Sequence, residues 1–124
     1  MNDFSDMFDS MRKMCGDNSD IPEYNYTPLD PGCVAAIKAV STNYEEGKRF
    51  GGFYYRADFS NGYGISIVKH NGSYGHENDQ WEIAVMKDGE CCYTTPITDD
   101  VIGWLSEDMV MMYVMSIRTL SKVL

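Results

Sequence analysis

From Phe53 onward, apolar and polar positions alternate with a period of two. Phe53, Tyr55, Ala57 and Phe59 interleave with Tyr54, Arg56 and Asp58, the pattern of a strand with one buried face. Asn61-Gly62 follows, a hairpin dipeptide suited to a type I′ turn, so Ser60 is expected to pair with Tyr63. The returning strand, Tyr63–His70, places Ile65 and Ile67 on one face and Ser66 and Val68 on the other. A third strand, Trp81–Lys87, sets Trp81, Ile83 and Val85 against Glu82, Ala84 and Met86. Asp88-Gly89 is a second turn signal, and Glu90–Thr95 returns as a fourth strand before Pro96 ends it.

Helical spacing governs the two ends of the chain. Phe4, Met7, Phe8, Met11 and Met14 form a stripe that predicts an amphipathic helix from about Asp3 to Met14. After a connector broken by Pro22 and Pro28, Asp30-Pro31 has the form of an N-cap and first helical residue. Cys33, Val34, Ile37, Val40, Ser41 and Tyr44 then predict a second helix that closes at Gly47. Thr98-Asp99-Asp100 caps a short turn carrying Val101, Ile102, Trp104 and Leu105. Ser106 caps the last helix, whose stripe is Val110, Tyr113, Val114, Ile117, Leu120 and Leu124. Met111, Met112 and Met115 widen that stripe beyond what one sheet face needs.

The expected fold is therefore α+β: a four-stranded antiparallel β-meander packed against a C-terminal α-helix, with two N-terminal helices. It forms one domain, in which residues 1–32 are an acidic helix and connector and residues 33–124 the core. A chain of 124 residues, 44% hydrophobic, can bury such a core without staples.

Charge changes the picture. The formal net charge is −9, which argues against a conventional phosphate-binding surface, and no direct contact with nucleic acid is expected. Residues 1–32 hold seven acids (Asp3, Asp6, Asp9, Asp17, Asp20, Glu23 and Asp30) against Arg12 and Lys13. A solvated face explains such a cluster; an acidic docking surface for a basic partner is the functional alternative. The N-terminus has acids where a secretory leader needs bases, and no run is apolar enough for a membrane span. A cytoplasmic protein with reduced Cys15, Cys33, Cys91 and Cys92 is expected.

Catalytic chemistry finds little support. Cys91 and Cys92 are neighbours in a strand and point to opposite faces, and no CxxC or HExxH spacing exists, so neither a metal nor a cofactor is expected. Cys92, His70 or His76 and Asp79 could be drawn as a nucleophilic triad, but any chain with two His and four Cys permits that. Asp99-Asp100 and Glu107-Asp108 sit where helix caps belong. The ten residues Asn71–Gln80 are the better candidate, since two to five residues suffice for a meander turn. Their aromatic, amide, acid and imidazole groups suit a recognition loop, with a variable surface loop as the plain alternative. Tyr74, His76, Glu77, Asp79 and the following Trp81 are its candidate contacts, and Tyr54, Tyr63 and Tyr93 could add an aromatic patch on the outer sheet face.

The succession Asn61-Gly62-Tyr63-Gly64-Ile65-Ser66-Ile67-Val68, Ser73-Tyr74-Gly75, Trp81-Glu82-Ile83-Ala84-Val85 and Tyr93 through Leu105 resembles a family of small phage-encoded proteins with no assigned activity. The matching segment, residues 61–105, consists of turns, strands and a cap, so the resemblance implies a viral origin and transfers no catalytic residue. With the acidity, it implies a non-enzymatic accessory protein in the host cytoplasm that binds and inhibits a basic host protein. Anti-defence activity of the anti-CRISPR kind is its most concrete version. A nucleotide-binding sponge using residues 71–81 and a self-associating assembly protein, its Met-rich faces buried between copies, are the alternatives.

Overall fold

In the computed structural model, residues 25–98 and 100–121 are described. The expected helix over Asp3–Met14 and the acids Asp3, Asp6, Asp9, Asp17, Asp20 and Glu23 lie outside the described residues.

The chain forms helix α1 (Pro31–Ala39), strands β1 (Asn43–Arg49), β2 (Gly52–Asp58), β3 (Tyr63–Lys69), β4 (Trp81–Lys87), β5 (Glu90–Cys91) and β6 (Ile102–Leu105), and helix α2 (Glu107–Arg118). The strands make one antiparallel sheet in the order β1-β2-β3-β4-β5, and β6 joins the same edge of β4 beyond β5. The class is α+β, as expected, but the sheet has six strands among the described residues rather than four.

The first difference lies in β1. The helical stripe was expected to run to Gly47, yet α1 stops at Ala39 and residues 43–49 pair in full register with β2. Asp30 caps α1 by accepting the Gly32 N–H at 2.9 Å, with Pro31 at the first turn, as the residues indicate. What ends it is a hairpin hidden in Phe50-Gly51, whose φ values of 50° and 79° mark a type I′ turn. A phenylalanine in a left-handed conformation is rare, so no residue signal announces that turn. Seven paired residues outweigh a marginal helical preference.

The second difference is register. Asp58 pairs with Gly64, so Ser60-Asn61-Gly62 is a three-residue loop rather than a two-residue one. Gly62 N–H donates to Phe59 O and Phe59 N–H to Tyr63 O, with Gly62 at φ 93° supplying the left-handed step. Asp88-Gly89 does form the expected turn, at φ 54° and 82°. The fourth strand, expected through Thr95, stops at Cys91. The short turn expected around Ile102 is instead β6, paired to β4.

Alternation holds where it was strongest. Tyr55, Ala57, Phe59, Ile65, Ile67, Trp81, Ile83 and Val85 are buried on the inner face. Helix α2 covers that face with Val110, Val114 and Ile117, packing on β3, β4 and β6. Ser106 caps it by accepting the Met109 N–H, and Glu107 and Asp108 favour its positive end. Met109, Met112 and Met115 lie on the exposed side of the helix, while Met111 packs against the core. Among the described residues no helix is long and apolar enough to cross a membrane.

Candidate functional site

The long loop between β3 and β4 is braced from below. Lys69, only 2% exposed, ends β3 and points its ammonium inward. Its Nζ donates to Thr27 O at 2.8 Å and to Asp79 Oδ1 at 3.0 Å, and sits 4.1 Å from the centre of the Trp81 ring. The same Asp79 oxygen accepts the Thr27 N–H at 2.8 Å. Partial burial works against the Asp79 carboxylate, but the Thr27 and Lys69 contacts prevail and hold it below the usual range. Nearby, the Tyr26 hydroxyl bridges Asn71 Oδ1 at 2.6 Å and His76 Nδ1 at 2.9 Å. Glu77, on the short 3₁₀ turn His76–Asn78, reaches back to His76 Nε2 at 3.4 Å.

This divides the candidate residues. Asp79 and His76 tie the loop to the segment before α1, and Glu77 stands at its rim. Trp81, expected at the binding surface, is 2% exposed, and its ring packs in the core against Tyr55. It begins β4 on the inward phase of the alternation, so it supports the loop from beneath and has no face for a partner. Tyr54 does lie on the outer face; Tyr63 packs against the core instead, and Tyr93 is exposed beyond β5.

Tyr74 remains at the surface, and it has a companion absent from the sequence-based set. Its ring, 54% exposed, stacks on Trp104, 57% exposed, with centroids 5.3 Å apart and planes 22° from parallel. The cause is a bulge in β6. Trp81 pairs with Leu105 but Ile83 with Ile102, so Gly103 and Trp104 together face Glu82. Trp104 takes φ 55°, a left-handed backbone that costs a bulky residue roughly 1–2 kcal/mol. Its N–H donates to Tyr74 O at 3.3 Å. A Cβ on Gly103 would fall 2.3 Å from Tyr74 Cβ, and one on Gly75 2.9 Å from Trp104 Cα. Both glycines are what lets the two backbones approach closely enough to stack the rings.

Glu82 is the polar foundation of the pair. Its Oε1 accepts the Tyr74 N–H at 2.8 Å. Burial pushes this carboxyl up; the Tyr74 bond opposes the shift and the nearby Asp100 adds to it. The Tyr93 phenol is also raised, chiefly by Cys91, with Asp100 and Glu82 contributing. The carboxylates of Glu82 and Asp100 thus interact with one another and with the Tyr93 phenol. Neither carboxylate has an ion-pair partner among the described residues.

Trp104 was missed because Ile102 and Trp104 read as ordinary turn residues. The available signal was Gly103 beside a tryptophan opposite a strand, where an extra residue makes a bulge. Among the described residues no cluster of three metal-ligating side chains occurs. Cys33, Cys91 and Cys92 are free thiols. Comparison with protein-family models, with curated proteins and with solved structures finds no match for this chain.

Proposed function

We propose that this chain is a non-catalytic binding protein that docks on a basic partner protein through the surface around the Tyr74–Trp104 stack. The observation that carries the reading is the stack itself. Two large rings are held in solvent by a bulge, a left-handed tryptophan and two close-approach glycines. Strain and apolar exposure both cost stability, and where they coincide they mark a binding surface. Tyrosine and tryptophan are also the residues that dominate interface energetics. Glu82 bonded to the Tyr74 backbone and Asp100 in electrostatic reach of Glu82, within a chain of net charge −9, favour a partner presenting lysine or arginine.

In its finer form the proposal is a phage accessory protein that inhibits a host nucleic-acid-binding protein by occupying its basic surface. Anti-defence inhibition of the anti-CRISPR type is the concrete case. Its support is the acidity and the phage-family resemblance of residues 61–105. The nucleotide-sponge alternative is less favoured, since Asp79 Oδ1, Asn71 Oδ1 and the Lys69 ammonium are engaged in bonds within the chain.

The test is affinity capture from host lysate with the wild-type chain and with Trp104→Ala. A basic nucleic-acid-binding protein should be retained by the wild type, released by salt, displaced by nucleic acid and lost with the variant. Equal capture by both chains, or capture indifferent to salt, would remove the proposal.

A further inference from the structure

Among the described residues, strand β1 is one border of the sheet, pairing only with β2. An open edge is a template for another strand, and which strand it accepts depends on its side chains. Those of β1 read Glu45-Glu46-Gly47-Lys48-Arg49. The order of charge is a mirror image about Gly47, acids before and bases after. An antiparallel copy centred on Gly47 would place Glu45 opposite Arg49 and Glu46 opposite Lys48, each twice. No like charges would face one another.

The direction of the backbone groups agrees with that register. The two-residue Phe50-Gly51 turn makes Arg49 and Gly52 a hydrogen-bonded pair. By alternation Gly47 and Glu45 also turn their N–H and C=O towards β2. Tyr44, Glu46 and Lys48 therefore aim theirs at the open edge. A copy centred on Gly47 brings Glu46 opposite Lys48, two edge-facing residues, which is the hydrogen-bonded pair an antiparallel ladder requires. A register shifted by one residue would set edge-facing residues against inward-facing ones and could not form those bonds.

The faces agree as well. Glu45 and Arg49 lie on the outer face, flanking the Tyr54 ring: Tyr54 Oη donates to Glu45 Oε2 at 3.1 Å and Arg49 sits 4.6 Å above the ring. Gly47 leaves room for that ring, which would meet a Cβ there at 2.7 Å. These contacts order the two side chains on the outer face. Glu45, Glu46, Lys48 and Arg49 are all exposed, and none forms an ion pair among the described residues.

We infer that β1 is a self-recognition edge, at which two copies of this chain pair antiparallel about Gly47 into one continuous sheet. The surface lies apart from the Tyr74–Trp104 stack, so the inference stands or falls independently of the proposed function. Ion pairs between exposed strands are individually weak and screened by salt, so the dimer is expected to be concentration-dependent and to dissociate as salt rises.

Sedimentation velocity over a concentration series tests it. The wild type should shift from monomer to dimer, whereas E45K/E46K alone and K48E/R49E alone should remain monomeric. Mixing those two variants should restore a dimer containing one of each, because every facing pair becomes opposite in sign again. E46K/K48E, which exchanges the charges within one chain, should still dimerise, as should E77K/E90K, which alters net charge away from the edge. A wild type that stays monomeric at its highest soluble concentration overturns the inference. So does E45K/E46K or K48E/R49E that dimerises unmixed, a mixture of the two that fails to pair, or E46K/K48E that stays monomeric.

Discussion

The side-chain amide of Asn61 donates to the main-chain oxygen of Ile117 at 2.9 Å, closing the β2–β3 turn onto the end of α2. The same nitrogen lies 3.1 Å from the carbonyls of Arg118 and Leu120, while Oδ1 accepts the Tyr63 N–H. One residue thus shapes a turn and adds a donor to the carbonyls at the end of α2, where Ile117 O also accepts the Leu120 N–H. Asn61→Ala should destabilise the fold by about 1–3 kcal/mol in urea titrations, because the turn loses its acceptor for Tyr63 N–H and the end of α2 loses a shared donor together. Asn61→Asp should cost at least as much, since it sets a carboxylate against the negative end of a helix.

Lys69 should prove structural despite its charge. Lys69→Met keeps the packed stem but removes the donors to Thr27 O and Asp79 and the cation over Trp81. A loss of about 1–3 kcal/mol in thermal or urea unfolding is expected, with a changed Trp81 emission. Unaltered stability would show that the loop is held by other contacts.

Trp104 should separate stability from binding. Trp104→Gly relieves the left-handed backbone and removes exposed apolar surface, so the fold should be unchanged or gain up to about 1 kcal/mol. Partner affinity should fall by about 2 kcal/mol or more, the loss typical of an interface anchor. Gly103→Ala should weaken binding for a different reason, because the added methyl collides with Tyr74 and separates the rings.

Acidity should affect Glu82 and His70 in opposite senses. Glu82 is raised when folded, chiefly by burial, so its contribution is full below the ordinary glutamate value of about 4.5 and is lost as pH rises through the folded value. Glu82→Gln keeps an acceptor for Tyr74 without that loss, and its melting temperature relative to wild type should climb as pH rises above about 4.5. His70 is lowered, mainly by burial among Phe50 and the loop backbone. Its contribution is full above the ordinary histidine value of about 6.5 and disappears as pH falls through the lower folded value. His70→Gln should flatten that acid limb of the wild-type stability curve.

Local pattern carried the inner face of β2, β3 and β4 without help. There the period-two alternation from Phe53 to Phe59 and at Ile65, Ile67, Ile83 and Val85 meets a core wherever the strand lies. Ser106 and the Val110, Val114 and Ile117 stripe fixed α2 in the same way, and Asp30-Pro31 fixed the start of α1. These signals are legible because cap, period and turn chemistry act within a few residues.

What lay beyond that range was decided by pairing. Tyr44 fits a helical stripe with Val40 and Ile37, and only the partner strand β2 makes it part of β1. In its three-residue loop the Asn61 amide reaches Ile117, a contact 56 positions away in the chain. Trp81 and Trp104 are alike as letters in a sequence. The alternation of β4 buries one, and a bulge in β6 turns the other outward, onto Tyr74. Local chemistry along the chain determined which segments could be strands and helices; the edges, the register and the exposed stack came from contacts between segments, whose energies no local window contains.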